Sequence, residues 1–82
     1  MAVVYFGLGS NLGNRRTNIQ NAIKSLRQNK VKATKLSTII ETDPVGGPKN
    51  QPKFLNAVLK AQTSLKPLSL FKITNRIANI QS

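Results

Sequence analysis

The chain has 82 residues, with 13 Lys and Arg against 2 Asp and Glu, no cysteine and no histidine, for a formal net charge of +11. That composition excludes disulfide staples, thiolate nucleophiles, imidazole bases and zinc sites of the usual nitrogen and sulfur type. One small domain, residues 1–82, is the ceiling, because a chain of this size buries only about 60% of the surface its unfolded form exposes.

Residues 1–8 carry the β-branched and aromatic run Val3, Val4, Tyr5 and Phe6, closed by Gly9-Ser10-Asn11-Leu12-Gly13-Asn14. This pattern predicts a buried central strand followed by a tight loop. The apolar stretch is far shorter than the roughly 20 residues of a membrane span and has no basic region before it, so no leader or membrane helix is expected and a cytoplasmic location is. From 16 to 28, Ile19, Ala22, Ile23 and Leu26 recur at i, i+3, i+4 and i+7, the stripe of an amphipathic helix. After a break at Asn29-Lys30, the β-branched stretch 31–40 predicts a half-exposed strand, with Leu36, Thr38 and Ile40 on one side and Ser37 and Ile39 on the other.

Residues 41–52 hold Pro44, Gly46, Gly47, Pro48 and Pro52 and predict a long loop of the kind that often carries function. Residues 54–63 return to strand alternation, with Leu55, Ala57, Leu59 and Ala61 as the core face and Phe54, Asn56, Val58 and Lys60 on the other. Pro67 suits a first helical turn, and Leu70, Phe71, Thr74, Ile77 and Ala78 extend a helical stripe to Ser82 with no stop signal. The order β-α-β-β-α gives an α+β class and matches a ferredoxin-like split βαβ unit without its last central strand. The first strand would then keep an open edge, which two chains could cover by pairing as a homodimer.

Several groupings bear on chemistry. Gly7, Gly9 and Gly13 suggest a dinucleotide fingerprint, but Leu12 holds the third glycine position and no acid follows at the required distance, leaving a strand-to-helix turn or close backbone approach to a ligand. Lysines and arginines are scattered, only Arg15 and Arg16 being adjacent, and Tyr5, Phe6, Phe54 and Phe71 are mostly expected inside. Solvation or attraction of a small polyphosphate is therefore preferred to RNA or DNA binding. Glu41 and Asp43, the sole acids, could contact Mg²⁺ or simply serve a turn. Phe54 and Asn56 share a strand face beside the Pro/Gly loop, where an aromatic ring and an amide suit a flat heterocycle with a lactam edge; the alternative is a core Phe54 with Asn56 as a satisfied polar neighbour.

Tyr5-x-Gly7-Leu8-Gly9-Ser10-Asn11-Leu12-Gly13, Thr42-Asp43-Pro44-Val45-Gly46, Gln51-Pro52-x-Phe54-Leu55-Asn56-Ala57-Val58 and Thr63-Ser64-Leu65-x-Pro67 occur in order over nearly the whole chain. Together they closely resemble the 6-hydroxymethyl-7,8-dihydropterin pyrophosphokinases of folate biosynthesis. The resemblance implies a ferredoxin-like α+β fold and transfer of a pyrophosphoryl group from ATP to the pterin hydroxymethyl with two Mg²⁺ ions. It further implies that Thr42 and Val45 line a pterin pocket, that Phe54 stacks on the ring, that Asn56 bonds its edge, that Gly9, Ser10 and Asn11 lie near the site, and that the stretch from Asp43 to Pro52 is a closing loop.

The sequence also departs from that family. Asn75 and Ala78 stand where the family carries a nucleotide-facing Gln and Glu, so Asn75 is a shorter substitute and Ala78 none. The family's later arginines, Trp and metal-holding Asp-x-Asp strand are not among these residues. The resulting expectation is an N-terminal portion of a pterin pyrophosphokinase that keeps part of the pterin pocket, has no catalytic or metal-binding residue of its own, does not bind Mg²⁺ and ATP productively, and is inactive alone. The alternative is a basic binding or self-assembly module for anionic partners such as RNA.

Overall fold

A computed structural model describes residues 1–44 and 51–81. In chain order the elements are β1 (Ala2–Ser10), α1 (Arg15–Gln28), β2 (Val31–Leu36), β3 (Ile40–Thr42), β4 (Phe54–Thr63), α2 (Pro67–Arg76) and β5 (Ile80–Gln81). The strands form one antiparallel sheet in the order β2-β4-β1-β5, with β3 continuing along β4 beyond β2. The class is α+β. The expectation of a buried central β1 holds only in its second half: β4 runs along all of it but β5 lies only beside Gly7 and Leu8, and Val3 and Tyr5 are exposed because they point away from the helices. Among the described residues no helix is long and apolar enough to cross a membrane.

Alternation on β1 and β4 decides where the core lies. Phe6 faces Leu59 and Leu8 faces Ala57 across the two strands, and all four side chains are buried. Helix α1 lays Ile19, Ala22 and Leu26 on that face, with Ile23 at its margin. The stripe was readable in the sequence because a 3.6-residue period keeps those positions on one side. Its start is fixed locally: the Asn14 side chain accepts from the Thr17 amide at 3.1 Å, satisfying one of the donors a helix N-terminus leaves free. Gly13, just before it, has φ +63, where a side chain would be strained.

Four further expectations are corrected. The strand over 31–40 is two strands: β2 carries an irregularity at Thr34, where the register shifts between Ala33 and Lys35 and the Thr34 hydroxyl donates to the Lys60 carbonyl, and it ends at Ser37, whose N–H still donates to the Val58 carbonyl at 2.9 Å while its Oγ, in place of a backbone carbonyl, accepts from Val58 N–H at 2.8 Å. A side chain that offers the backbone an alternative partner interrupts the strand there. The break undoes the predicted grouping of Leu36, Thr38 and Ile40; Ile39 packs on the core while Leu36 and Ile40 are exposed.

The loop predicted from residue 41 begins later, since Glu41 and Thr42 pair with Leu55 and Phe54. The last helix stops at Arg76 instead of running to the end. Asn79 takes φ +71, a conformation Asn tolerates better than most side chains, and the chain turns back as β5 beside Gly7 and Leu8. The order therefore gains a short strand on the β1 edge that the sequence pattern left open. Finally, the aromatics are not mostly interior: Phe6 is buried and Phe54 half-buried, but Tyr5 and Phe71 are exposed.

Both helices cover one side of the sheet, and α2 adds Leu70, Thr74 and Ile77 to its edge. The other face carries Val3, Tyr5, Val58 and Ile40, each about half or more exposed. Across it Lys35 lies directly opposite Lys60. Like charges so placed destabilise a sheet, and an opposite-charge pair contributes roughly 0.2–1 kcal/mol. Lys60→Glu is accordingly expected to raise the melting temperature by about 1–8 °C at low salt, with the gain shrinking as salt is added; thermal scans at two ionic strengths check it.

Candidate functional site

The bare face and the strand alternation bring three of the expected residues to one corner. Thr42 on β3 is opposite Phe54 on β4, and Asn56, two positions along β4, falls on the same face as Phe54. Asn56 Nδ2 donates to Thr42 Oγ1, which fixes the amide plane and leaves its Oδ1 and second N–H for another partner. Phe54 and Asn56 are both half-buried. The alternative of Phe54 as helix-facing core is therefore set aside, because it lies on the face away from both helices.

Gly9 completes the corner from β1, where it pairs with Asn56. A Cβ on Gly9 would sit 3.1 Å from Asn56 Oδ1, a tight contact that would press the amide by a few tenths of an ångström, and 3.9 Å from Phe54 Cδ1. Of the two readings of the glycines, close approach of another group bears on Gly9, while the positive-φ turn falls at Gly13. Beside Asn56 a cavity of about 260 Å³ opens, lined among others by Gly7, Ile40, Asn56 and Val58.

Ser10 is buried and its Oγ accepts from Asn18 Nδ2 at 3.0 Å, while the same amide donates to the Leu12 carbonyl at 2.9 Å. These bonds hold the loop that contains the half-buried Asn11 against the start of α1. Arg15, in the first turn of α1, reaches Glu41 on β3 at 2.9 Å and the carbonyl of Lys53, just before β4, at 2.8 Å, tying α1 to the segments that carry Thr42 and Phe54. The sequence pattern missed Arg15 and Asn18 as supports; the only signal was a polar run at the helix start, which caps and solvation explain equally well.

The other expected residues are not brought there. Val45 lies outside the described residues, as do positions 46–50 of the expected closing loop. Asn75 is exposed on α2, and no hydrogen bond among the described residues joins it to Thr42, Phe54 or Asn56. Ala78 is exposed at the rim of a groove of about 270 Å³ between α1 and the end of α2.

The two carboxylates are each engaged with a cation, Glu41 with Arg15 at 2.9 Å and Asp43 with Lys53 at 3.7 Å. Among the described residues no three acidic, His or Cys groups converge. A pair of magnesium ions, which takes carboxylates held toward a common centre, does not fit these residues. What the corner can do is recognise: an aromatic face, an oriented amide and a hydroxyl meet over bare backbone, an arrangement suited to a planar ring with hydrogen-bonding edges.

Comparison with known proteins extends this. The sequence model of the family described as 7,8-dihydro-6-hydroxymethylpterin-pyrophosphokinase matches residues 5–81. A 2-amino-4-hydroxy-6-hydroxymethyldihydropteridine pyrophosphokinase of Bacillus subtilis is 44% identical over 78 residues, which cover 94% of this chain and 46% of the relative. One from Aquifex aeolicus is 49% identical over 70 residues, 85% of this chain and 42% of its own length. A folate synthesis bifunctional protein of Arabidopsis thaliana is 38% identical over 90% of this chain and 15% of its own. The chain thus spans about half the length of the single-function relatives, and these relatives lend no support to the alternative of a basic module for anionic partners.

Proposed function

The chain belongs to the 7,8-dihydro-6-hydroxymethylpterin-pyrophosphokinase family, and from that membership we propose that these 82 residues hold the pterin-recognising part of the family's site without a complete machinery for transfer. The observation that carries the reading is the meeting of Thr42, Phe54 and Asn56 over Gly9. Phe54 stacks on the pterin ring. Asn56, its amide oriented by Thr42, accepts from the ring N–H with Oδ1 and donates to the ring carbonyl with its remaining N–H. The resemblance adds Val45 to the pocket's lining, and Gly9, Ser10 and Asn11 flank it. The fold is read as the ferredoxin-like arrangement, with β5 in the place beside β1 where that layout sets its last strand.

The family uses ATP. Transfer of its pyrophosphoryl group to the pterin hydroxymethyl needs positive groups and metal ions around the phosphates, and neither Asn75 nor the engaged carboxylates of Glu41 and Asp43 supply them. The purified chain is expected to quench or shift pterin fluorescence on binding 6-hydroxymethylpterin, yet to release no AMP from ATP in the presence of 6-hydroxymethyl-7,8-dihydropterin. AMP release above a no-protein control would overturn the inactivity, and an unperturbed pterin signal at millimolar ligand would overturn the pocket.

A second reading concerns self-association. β5 pairs only with Gly7 and Leu8, so toward Ala2 the outer edge of β1 has no neighbour among the described residues, and two chains can pair there as a homodimer. A monomeric mass at high protein concentration overturns it.

A further inference from the structure

We propose that Asn79 is a positioning residue for the Asn56 amide, acting through the backbone of Gly9; this rests on the pterin reading above. Asn79 lies 70 positions from Gly9 in sequence and holds both of its outward-facing backbone groups: Gly9 N–H donates to the Asn79 carbonyl at 3.0 Å, and Asn79 Nδ2 donates to the Gly9 carbonyl at 3.0 Å. On the inner side Gly9 is paired with Asn56. Gly9 is therefore clamped between β4 and the turn that ends α2.

That clamp matters because the Asn56 amide rests on the peptide strip it fixes. With Asn56 Oδ1 only 3.1 Å from where a Gly9 Cβ would stand, outward or upward movement of β1 at this residue changes the room in which the Thr42-bonded amide lies. Beyond β5, which pairs with Gly7 and Leu8, Asn79 is the residue that holds the outer edge of the strip at the site.

The choice of residue follows from two demands. The position has φ +71, which Asn and Gly adopt with least strain, and it needs a side-chain donor for the Gly9 carbonyl. Glycine meets the first demand alone and alanine meets neither. Aspartate tolerates the backbone but sets a carboxylate oxygen against the carbonyl it should bond.

The variants Asn79→Gly and Asn79→Asp separate the side-chain bond from the backbone conformation. Each is compared with the unaltered 82-residue chain by amide NMR without ligand, then by titration with 6-hydroxymethylpterin and with a 2,4-diaminopteridine, whose ring has an amino group in place of the lactam carbonyl. The Asn56 side-chain amide resonances are expected to shift in both variants. Affinity for the pterin should fall about three- to tenfold in Asn79→Gly and further in Asn79→Asp, while affinity for the diaminopteridine is unchanged.

Equal loss for both ligands marks general loosening of the sheet and overturns the proposal, as do unmoved Asn56 resonances. If the unaltered chain binds neither ligand, the pterin reading fails, and the ligand-free resonances still decide whether Asn79 sets the Asn56 amide.

Discussion

Asn56→Ala is expected to weaken binding of 6-hydroxymethylpterin by about 5- to 150-fold, measured by fluorescence titration at constant ionic strength. In the proposed pocket the side chain contributes an acceptor and a donor to one edge of the ring, and truncation would leave the ring's own groups without partners. An unsatisfied polar group costs about 1–3 kcal/mol, and each 1.4 kcal/mol or so is tenfold in affinity. Asn56→Asp should do at least as badly, since it loses the donor and places a charge against the ring carbonyl.

Phe54→Ala tests the other half of the recognition. Loss of stacking and apolar cover should lower affinity for any flat heterocycle, pterin and diaminopteridine alike. A chain in which Asn56→Ala and Asn56→Asp bind as well as the unaltered protein, while Phe54→Ala does not, would have a hydrophobic shelf and no reading of the lactam edge. Neither substitution touches the helix-covered side of the sheet, so unfolding transitions of these variants should stay close to that of the parent chain.

The largest effect on stability is expected at Leu59. It is buried in the middle of β4, with Phe6 across one ladder and Leu36 across the other. Removing such a side chain costs about 2–5 kcal/mol, the transfer free energy of the lost carbons plus the cavity they leave. A domain of this length holds roughly 4–12 kcal/mol in all, so Leu59→Ala should lower the urea midpoint by more than about 1 M. Val58→Ala, one residue along and half-exposed on the bare face, should move it little. Equal shifts for the two would mean that the bare face is as well packed as the core.

Much of the architecture was legible because it repeats a period. The stripe Ile19, Ala22, Ile23 and Leu26 and the alternation Leu55, Ala57, Leu59 and Ala61 each place four side chains on one face, and the structure buries or half-buries every one. What failed was local. At Ser37 a hydroxyl oxygen stands in for a backbone carbonyl in the ladder, and at Asn79 an ordinary-looking polar residue takes the role that glycine announces more openly. No pattern of hydrophobicity reports such events, since each turns on one hydrogen bond or one φ angle.

The site divides in the same way. Resemblance over four segments named Thr42, Val45, Phe54 and Asn56, and alternation alone set Phe54 and Asn56 on one strand face. That the Asn56 amide lies close over the bare backbone of Gly9 depends on which residues oppose each other across β1 and β4, and sequence order does not state register.

The charge with which the molecule is first met can now be divided too. Composition alone determined that these 82 residues are strongly basic and offer no thiol or imidazole chemistry, because those limits follow from which atoms are present. Tertiary structure decided where the charges act: it engages both carboxylates with Arg15 and Lys53 and leaves Lys35 facing Lys60. It also decided that Thr42, Phe54 and Asn56 gather on the face the helices leave open. Those outcomes depend on distances between residues far apart in the chain, which only the paired sheet brings within reach of one another.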